Sequence, residues 1–591
     1  MRATYLVLAA VAGLVTPAAA VPAHPGEAAS INHIVVLYQE NRSFDHLYGE
    51  WGKVGGEHVR GLSYAKPDST VQVGEDGGPL DCLYQNEPRL TSPSPLPDTC
   101  TDTRHPAKQG SPPTWQPVHS AFRNRPWLID PYIPSDVPTK DLTHRFYQHL
   151  YQIDHGRQDR YVAGSSFAGL TMGHYDTTRL PIYTYLHGRN APPYVVFDNF
   201  FQGAFGGSFL NHQWLAAAQT PVFVDADHSG KDTGCATGTA NCDLHSAVDA
   251  NGVPDDGMSK FSPPYYASPG GTVEDGSLAV AADASGRCRP SFSGAVQPPR
   301  GTLCGDYAVN SLDPLTQPYE PKHKDVGERL PLLYTDNVGD VMSARGISWT
   351  WYGGGWDNAV GNNGRDAYHP LGPGWTAGPT HTNSGTCTFA PGSAPLRTGA
   401  QFPYCQQDDF EVDHQPFAYF ANYADNTSGR VQHLADEQKF LQDAARTDGL
   451  PAVSFVKPTE TYDEHPGSSV KLGDQHLVDL VKAVEDGPNA KDTMVIVAYD
   501  EFGGWWDHVS PPGMGTRGPH DAFGPGNRVP ALVIAPGLRR GVDHTEHDTT
   551  SVLATIEHRF GLRPLRLPDG RPARDARATD LFTAFPRHGR D

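Results

Sequence analysis

An α/β fold, with a doubly wound, mostly parallel sheet, helices on both faces and a loop-rich insertion, is predicted by three observations. Short continuous apolar runs, residues 34–38 (IVVLY) and 494–498 (MVIVA) foremost, have the make-up of strands buried on both faces of a parallel sheet. Helical periodicity lies between such runs, notably over residues 472–484 and 550–560. Acidic residues follow two of the runs at once, Glu40-Asn41 after the first and Asp500-Glu501 after the second. The carboxyl ends of strands are where such sheets bind ligands.

Further strands are expected at residues 194–197, 452–456 and 531–535. They lie far apart in the 591-residue chain, so a single large domain over residues 21–591 accounts for them better than a row of small ones. With 62 glycines and 53 prolines the chain is no helical bundle. Residues 225–324 are rich in Gly, Ser, Asp and Pro with little periodicity, and read as an insertion on the core. No fixed-period repeat is visible.

Residues 1–20 read as a cleaved export signal: a basic start, an apolar stretch and an Ala-x-Ala end. No later apolar run approaches the roughly 20 residues of a membrane helix, so a secreted or periplasmic protein without an integral membrane segment is expected. Cysteine usage agrees. The eight cysteines fall into neighbouring pairs, Cys82 with Cys100, Cys235 with Cys242, Cys288 with Cys304 and Cys387 with Cys405. Each pair brackets a short polar loop, and disulfides suit them better than zinc because no Cys-x-x-Cys spacing occurs.

The net charge of −21 argues against nucleic acid as a partner, since that binding rests on a basic surface. An anionic ligand would need local positive charge, from a metal, Arg or some of the 27 histidines. Clustered carboxylates at one sheet edge repel, and a bound cation relieves the repulsion. Oxygen donors favour Ca²⁺, Mg²⁺ or Mn²⁺. Read locally, the same residues are also ordinary turn and cap residues.

The segment QGAFGGSFLNHQWLAAA, residues 202–218, reads as a glycine-rich turn leading into a helix that starts near Ser208. A hydroxyl there sits by the positive end of the helix dipole and by unpaired N–H groups, which suits phosphate and a developing alkoxide. Ser is equally a common N-cap. His212, one turn on, faces the same side as Ser208.

The stretch Gln39-Glu-Asn-Arg-Ser-Phe-Asp-His46 resembles the signature of the bacterial phosphoesterase family, which contains secreted phospholipases C and respiratory-burst-inhibiting acid phosphatases. Residues 499–512 (YDEFGGWWDHVSPP) resemble its C-terminal signature. Intermediate motifs are matched by residues 153–161, 461–467 and 527–536, in the family's order. The resemblance implies an alkaline-phosphatase-like fold, metal ligands at Glu40, Asn41, Ser208, Asp500 and Glu501, and Ser208 as nucleophile. The segment 205–212 is similar to the acid-phosphatase branch, and the Thr-x-Pro-Asn-Arg pattern of the phospholipase branch is absent. A secreted acid phosphatase acting on phosphomonoesters through a phosphoseryl intermediate is therefore the expectation. The alternative is a phospholipase C, which would also contact a membrane surface. His155, His465 and His508 lie in matched motifs and are the candidates for phosphate contact or leaving-group protonation, with an acidic optimum to match.

Other classes fit less well. A lipase-type serine hydrolase needs Gly-x-Ser-x-Gly, and Gly164-Ser-Ser166-Phe-Ala-Gly169 is out of register. A sulfatase needs a Cys/Ser-x-Pro-x-Arg motif, which is absent. A non-catalytic secreted binding protein would not need Glu40, Asn41, Ser208, Asp500 and Glu501 together. Asn41-Arg-Ser43 and Asn426-Thr-Ser428 are glycosylation sequons, and a glycan on Asn41 would block the site.

Overall fold

A computed structural model describes residues 30–221, 332–359 and 410–586, apart from short breaks at 75, 88–95, 110–111, 113, 425–426, 515–519, 522 and 569. The expected export signal over residues 1–20, the expected insertion at 225–324, the cysteine pairs 235/242, 288/304 and 387/405 and Asn426 lie outside the described residues.

The core is an eight-stranded sheet. In chain order its strands are β1 (His33–Gln39), β2 (Tyr194–Phe197), β3 (Trp349–Gly353), β4 (Leu434–Asp436), β5 (Val453–Lys457), β6 (Thr493–Tyr499), β7 (Ala531–Ile534) and β8 (Gly541–Asp543). Their order across the sheet is β4-β3-β5-β1-β6-β7-β2-β8. Only β7 runs against the rest, pairing antiparallel with both β6 and β2. The expected class, a mostly parallel α/β sheet, is the one observed.

All residues of β2, β5, β6 and β7 are buried, as are residues 34–39 of β1. Side chains alternate between the faces of a strand, so burial of every residue means both faces are covered. That is why these strands read as continuous apolar runs. The covering helices are α1 (Pro181–Leu186), α2 (Ser208–Ala217), α3 (Val338–Ala344), α4 (Glu437–Ala444), α5 (Val470–Glu485) and α6 (Thr549–Phe560). They pack in two groups, α5 with α1 and α4, and α2 with α3 and α6. Helix α6 opens on a capping box between Asp548 and Ser551 and stops at Gly561 in the left-handed region (φ 61°).

Of the cysteine pairs, Cys82–Cys100 lies within the described residues and is bridged. It ties an extended hairpin, Cys100–Gln109 with Thr114–Ser120, to the preceding loop. Among the described residues no helix is long and apolar enough to cross a membrane.

Candidate active site

Strands β1 and β6 pair in parallel register and finish together at Gln39 and Tyr499, so the residues that follow them emerge side by side. The backbone N–H of Asn41 donates to Asp500 Oδ1 (2.9 Å), and that of Arg42 to the Glu501 carbonyl (2.9 Å). Asn41 takes a left-handed conformation (φ 55°), which asparagine tolerates better than most residues. Gly503 (φ 61°) closes the opposing turn, where a Cβ would stand 2.1 Å from the Asn41 carbonyl oxygen. Only glycine lets the two loops approach this closely.

Ser208 reaches the same place from α2. Gly206 (φ 90°) makes the entering turn, and a Cβ on it would lie 2.6 Å from the backbone nitrogen of Phe146. Gly207, not Ser208, is the N-cap. Ser208 is the first helical residue, half-buried, and its hydroxyl donates to Asn41 Oδ1 (3.0 Å). Thus the hydroxyl is not used to cap the helix.

Glu40, Asn41, Asp500 and Glu501 are fully buried. Both carboxylate oxygens of Glu40, Oδ2 of Asp500 and Oε1 of Glu501 accept no hydrogen bond. Burial and then repulsion from Asp500 raise the carboxyls of Glu40 and Glu501 well above the ordinary range. Two histidines sharpen the picture. His212 Nδ1 lies 2.9 Å from the Ser208 carbonyl, so it carries the proton, and Nε2 presents a lone pair to Glu40 Oε1 at 3.5 Å. Burial pushes His212 down to about 4, which keeps it neutral at ordinary pH. His144 repeats the pattern, with Nδ1 2.5 Å from the Leu142 carbonyl and Nε2 3.5 Å from Glu501 Oε1.

A lone pair aimed at a carboxylate, twice over, calls for a cation between the two. Glu40, His212 and Asp500 hold ligand atoms close enough to share one ion. The residues present therefore fit a divalent cation. The imidazoles extend the expected oxygen set and admit Mn²⁺ or another transition metal alongside Mg²⁺ and Ca²⁺.

Glu40 is also lined from β5. Lys457, the last residue of that strand, is fully buried, 3.3 Å from Glu40 Oε1 and 2.6 Å from Asp463 Oδ2. Burial opposes its charge, but Asp463 and Glu40 outweigh burial and raise the ammonium above its ordinary range. His414 Nε2 stands 3.5 Å from Glu40 Oε2. His465 is half-buried, and its backbone N–H donates to Asp463 Oδ1 (3.0 Å).

The structure does not bring the other two expected histidines to this cluster. His155 is exposed and makes no side-chain hydrogen bond among the described residues. His508 belongs to a second buried group, with Nδ1 2.6 Å from Asp45 Oδ2. There Arg528 donates to Asp45 Oδ1 (2.9 Å) and to Asp507 Oδ1 (3.1 Å). Sequence reading passed over His144, His414 and Lys457. For Lys457 a signal existed, because the strand-end rule that singles out Glu40 and Asp500 applies equally to the end of β5.

A half-buried serine at a helix start, facing buried carboxylates and imidazoles on the carboxyl edge of a mostly parallel sheet, sets this protein among α/β proteins whose strand ends could hold a cation. The chain belongs to the phosphoesterase family, which matches residues 31–563. A non-hemolytic phospholipase C of Burkholderia pseudomallei is 33% identical over 171 residues, 24% of this chain and 24% of that protein. Phospholipase C B of Mycobacterium tuberculosis is 31% identical over 201 residues, 30% of this chain and 36% of that protein. The chain thus aligns with well under half the length of these relatives. Among solved structures, a protein in the alkaline phosphatase superfamily from Vibrio parahaemolyticus aligns at 12% identity with a TM-score of 0.21, over 42% of this chain and 50% of that one.

Proposed function

We propose that this protein is an exported phosphoric ester hydrolase in which Ser208 is the nucleophile, acting on phosphodiesters in the manner of a phospholipase C. The observation that carries the reading is the Ser208 hydroxyl, half-buried at the start of α2 and hydrogen-bonded to Asn41 beside four buried carboxylate oxygens, of Glu40, Asp500 and Glu501, that accept no hydrogen bond. Asn41 Oδ1 takes the hydroxyl proton as a hydrogen bond and so turns an oxygen lone pair toward the substrate. Attack forms the Oγ–P bond and breaks the bond to the alcohol, which leaves with a proton. Water then cleaves the phosphoseryl ester and frees Ser208.

The unpaired N–H groups of the first turn of α2 offer donors to the phosphoryl oxygens. His212 stays a neutral donor of a lone pair, and His212 and His144 are each held by a backbone carbonyl on Nδ1. A divalent ion held by Glu40, Asn41, Ser208, Asp500 and Glu501, with His212, would supply the charge that favours alkoxide and balances the transferring group. Of the three histidines expected for phosphate contact or proton transfer, we assign the role to His465, at the Asp463 end of the cluster.

The likeness to phospholipases C moves the weight from the monoesterase first expected to the diesterase. A monoesterase remains the second reading, favoured by Ser208 in the segment 205–212 where the phospholipase pattern is absent. Hydrolysis of p-nitrophenylphosphorylcholine against p-nitrophenyl phosphate, with divalent metals resupplied, separates them. A preference for the choline ester that vanishes in Ser208→Ala supports the proposal. Preference for the monoester with the same loss selects the second reading. An active Ser208→Ala protein overturns the nucleophile, and inactivity toward both esters returns a binding protein to consideration.

A further inference from the structure

The acidic cluster offers two candidate seats for an ion. Two sets of ligand atoms share Glu40: one adds His212 and Asp500, the other His414 and Asp463. They differ in what already lies among them. In the first, Asp500 Oδ2 and His212 Nε2 have no hydrogen-bond partner. In the second, the Lys457 ammonium is in place, 2.6 Å from Asp463 Oδ2 and 3.3 Å from Glu40 Oε1, with a further hydrogen bond to the Pro458 carbonyl at 3.2 Å.

Lys457 does not arrive there by chance of a long surface side chain. It ends β5, the strand hydrogen-bonded to β1, so its stem rises beside Glu40 at the sheet's carboxyl edge. Lys457, Glu40 and Asp463 are each fully buried, so water does not screen the contacts. A divalent ion using Asp463 Oδ2 would take the oxygen the ammonium already holds and would face that ammonium at short range. Like charges that close in a buried site are strongly unfavourable.

We infer that Lys457 stands in for a second divalent ion, filling the Glu40–His414–Asp463 half of the cluster and limiting the centre to a single metal. It supplies a fixed positive charge to Glu40 and leaves the His212–Asp500 half as the metal seat of this cluster. The inference rests on the reading of the cluster as a metal centre, and the test keeps the two apart.

The full chain is stripped with a chelator, dialysed against Mn²⁺, and its metal counted by plasma mass spectrometry and native mass spectrometry. The wild type is expected to hold one Mn²⁺ per chain. Lys457→Ala is expected to hold two, and Lys457→Arg one. Two ions in the wild type, or one in a folded Lys457→Ala protein, overturn the inference. Should Lys457→Ala not fold, Asp463→Asn decides in its place. Retention of one ion with unchanged Mn²⁺ affinity supports Lys457 as the partner of Asp463, and loss of the ion makes Asp463 a metal ligand and overturns the inference. No bound Mn²⁺ in the wild type overturns the metal centre and the inference together, whereas two ions with intact phosphodiesterase activity overturn the inference alone.

Discussion

Two buried acidic clusters grow from the same two chain segments and are compensated differently. The first joins Glu40 and Asn41 to Asp500 and Glu501; the second joins Asp45 to Asp507 and His508. In the second, Arg528 spends its guanidinium on Asp45, Asp507 and the carbonyls of Arg60 and Asp198, with its face 4.3 Å from the Phe44 ring. Burial would raise Asp45, yet His508 and Arg528 hold it below the usual carboxylate range. For Asp507 burial wins over Arg528, and its carboxyl rises. In the first cluster no guanidinium enters, and the Glu40 and Glu501 carboxyls rise, with both oxygens of Glu40 and Oε1 of Glu501 accepting no hydrogen bond. Buried acid alone therefore does not mark a site. A functional centre is marked where the chain withholds part of the counter-charge.

The largest effect that tests this contrast is on chemistry. Ser208→Ala should lower phosphoester hydrolysis by at least about 10³-fold, as loss of a nucleophile does in other serine enzymes, with an unchanged circular dichroism spectrum. Residual activity within tenfold of wild type (about 1.4 kcal/mol of barrier) would place the reaction elsewhere.

Next comes stability. Arg528→Met should cost roughly 3–5 kcal/mol in urea unfolding, because it strands Asp45 and Asp507 without their partner. Asp500→Asn in chelated protein should cost nothing or stabilise, since it removes the charge that repels Glu40 and Glu501. The same variant should lose the rise in melting temperature that Mn²⁺ gives the wild type. Equal destabilisation by both substitutions would break the distinction between the clusters.

His508→Ala sharpens it. Bound to Asp45, the ring should be worth about 1–3 kcal/mol of stability, with turnover of the folded protein near wild type. A turnover loss beyond roughly 100-fold, the scale of a proton-transfer residue, would restore the catalytic part expected for it from sequence.

The smallest effect concerns a third kind of buried acid. Asp474 has neither metal nor guanidinium; Oδ2 accepts the Ile182 N–H at 2.7 Å and Oδ1 accepts nothing. Burial pushes it up to about 7, as it does Asp436. A raised carboxyl binds its proton more tightly in the folded state, so its stabilisation is full at low pH and fades as pH rises through about 7. His212, at about 4, and His149, at about 3, act the other way below their ordinary value near 6.5, where the unfolded chain gains protons first. The clear window is therefore above about pH 6.5. Chelated protein should lose stability from there to pH 8, and Asp474→Asn should flatten the slope. An unchanged slope would remove Asp474 from the account.

Legibility in the sequence followed burial. Residues 34–38 and 494–498 announce β1 and β6 because both faces of those strands are covered. The aromatic WTWYG of β3 and the three-residue strands β4 and β8 carry no such run and passed unseen. The ends of β1 and β6 pointed to Glu40, Asn41, Asp500 and Glu501 by a rule about strand ends, the helix start pointed to Ser208, and the family motifs supplied the roles expected of them. His155, His465 and His508 stood in matched motifs and looked alike, yet they finish exposed, beside Asp463 and beside Asp45.

What the amino-acid order determines by itself is local: which runs become buried strands, where α2 begins, and which acids follow β1 and β6. Tertiary structure alone decides which of those acids meet a cation from their own chain. Arg528 comes to Asp45 from 483 residues away, whereas Lys457 joins Glu40 because β5 lies next to β1. Charge compensation depends on distance in space and on burial. Neither is written in the spacing of residues along the chain.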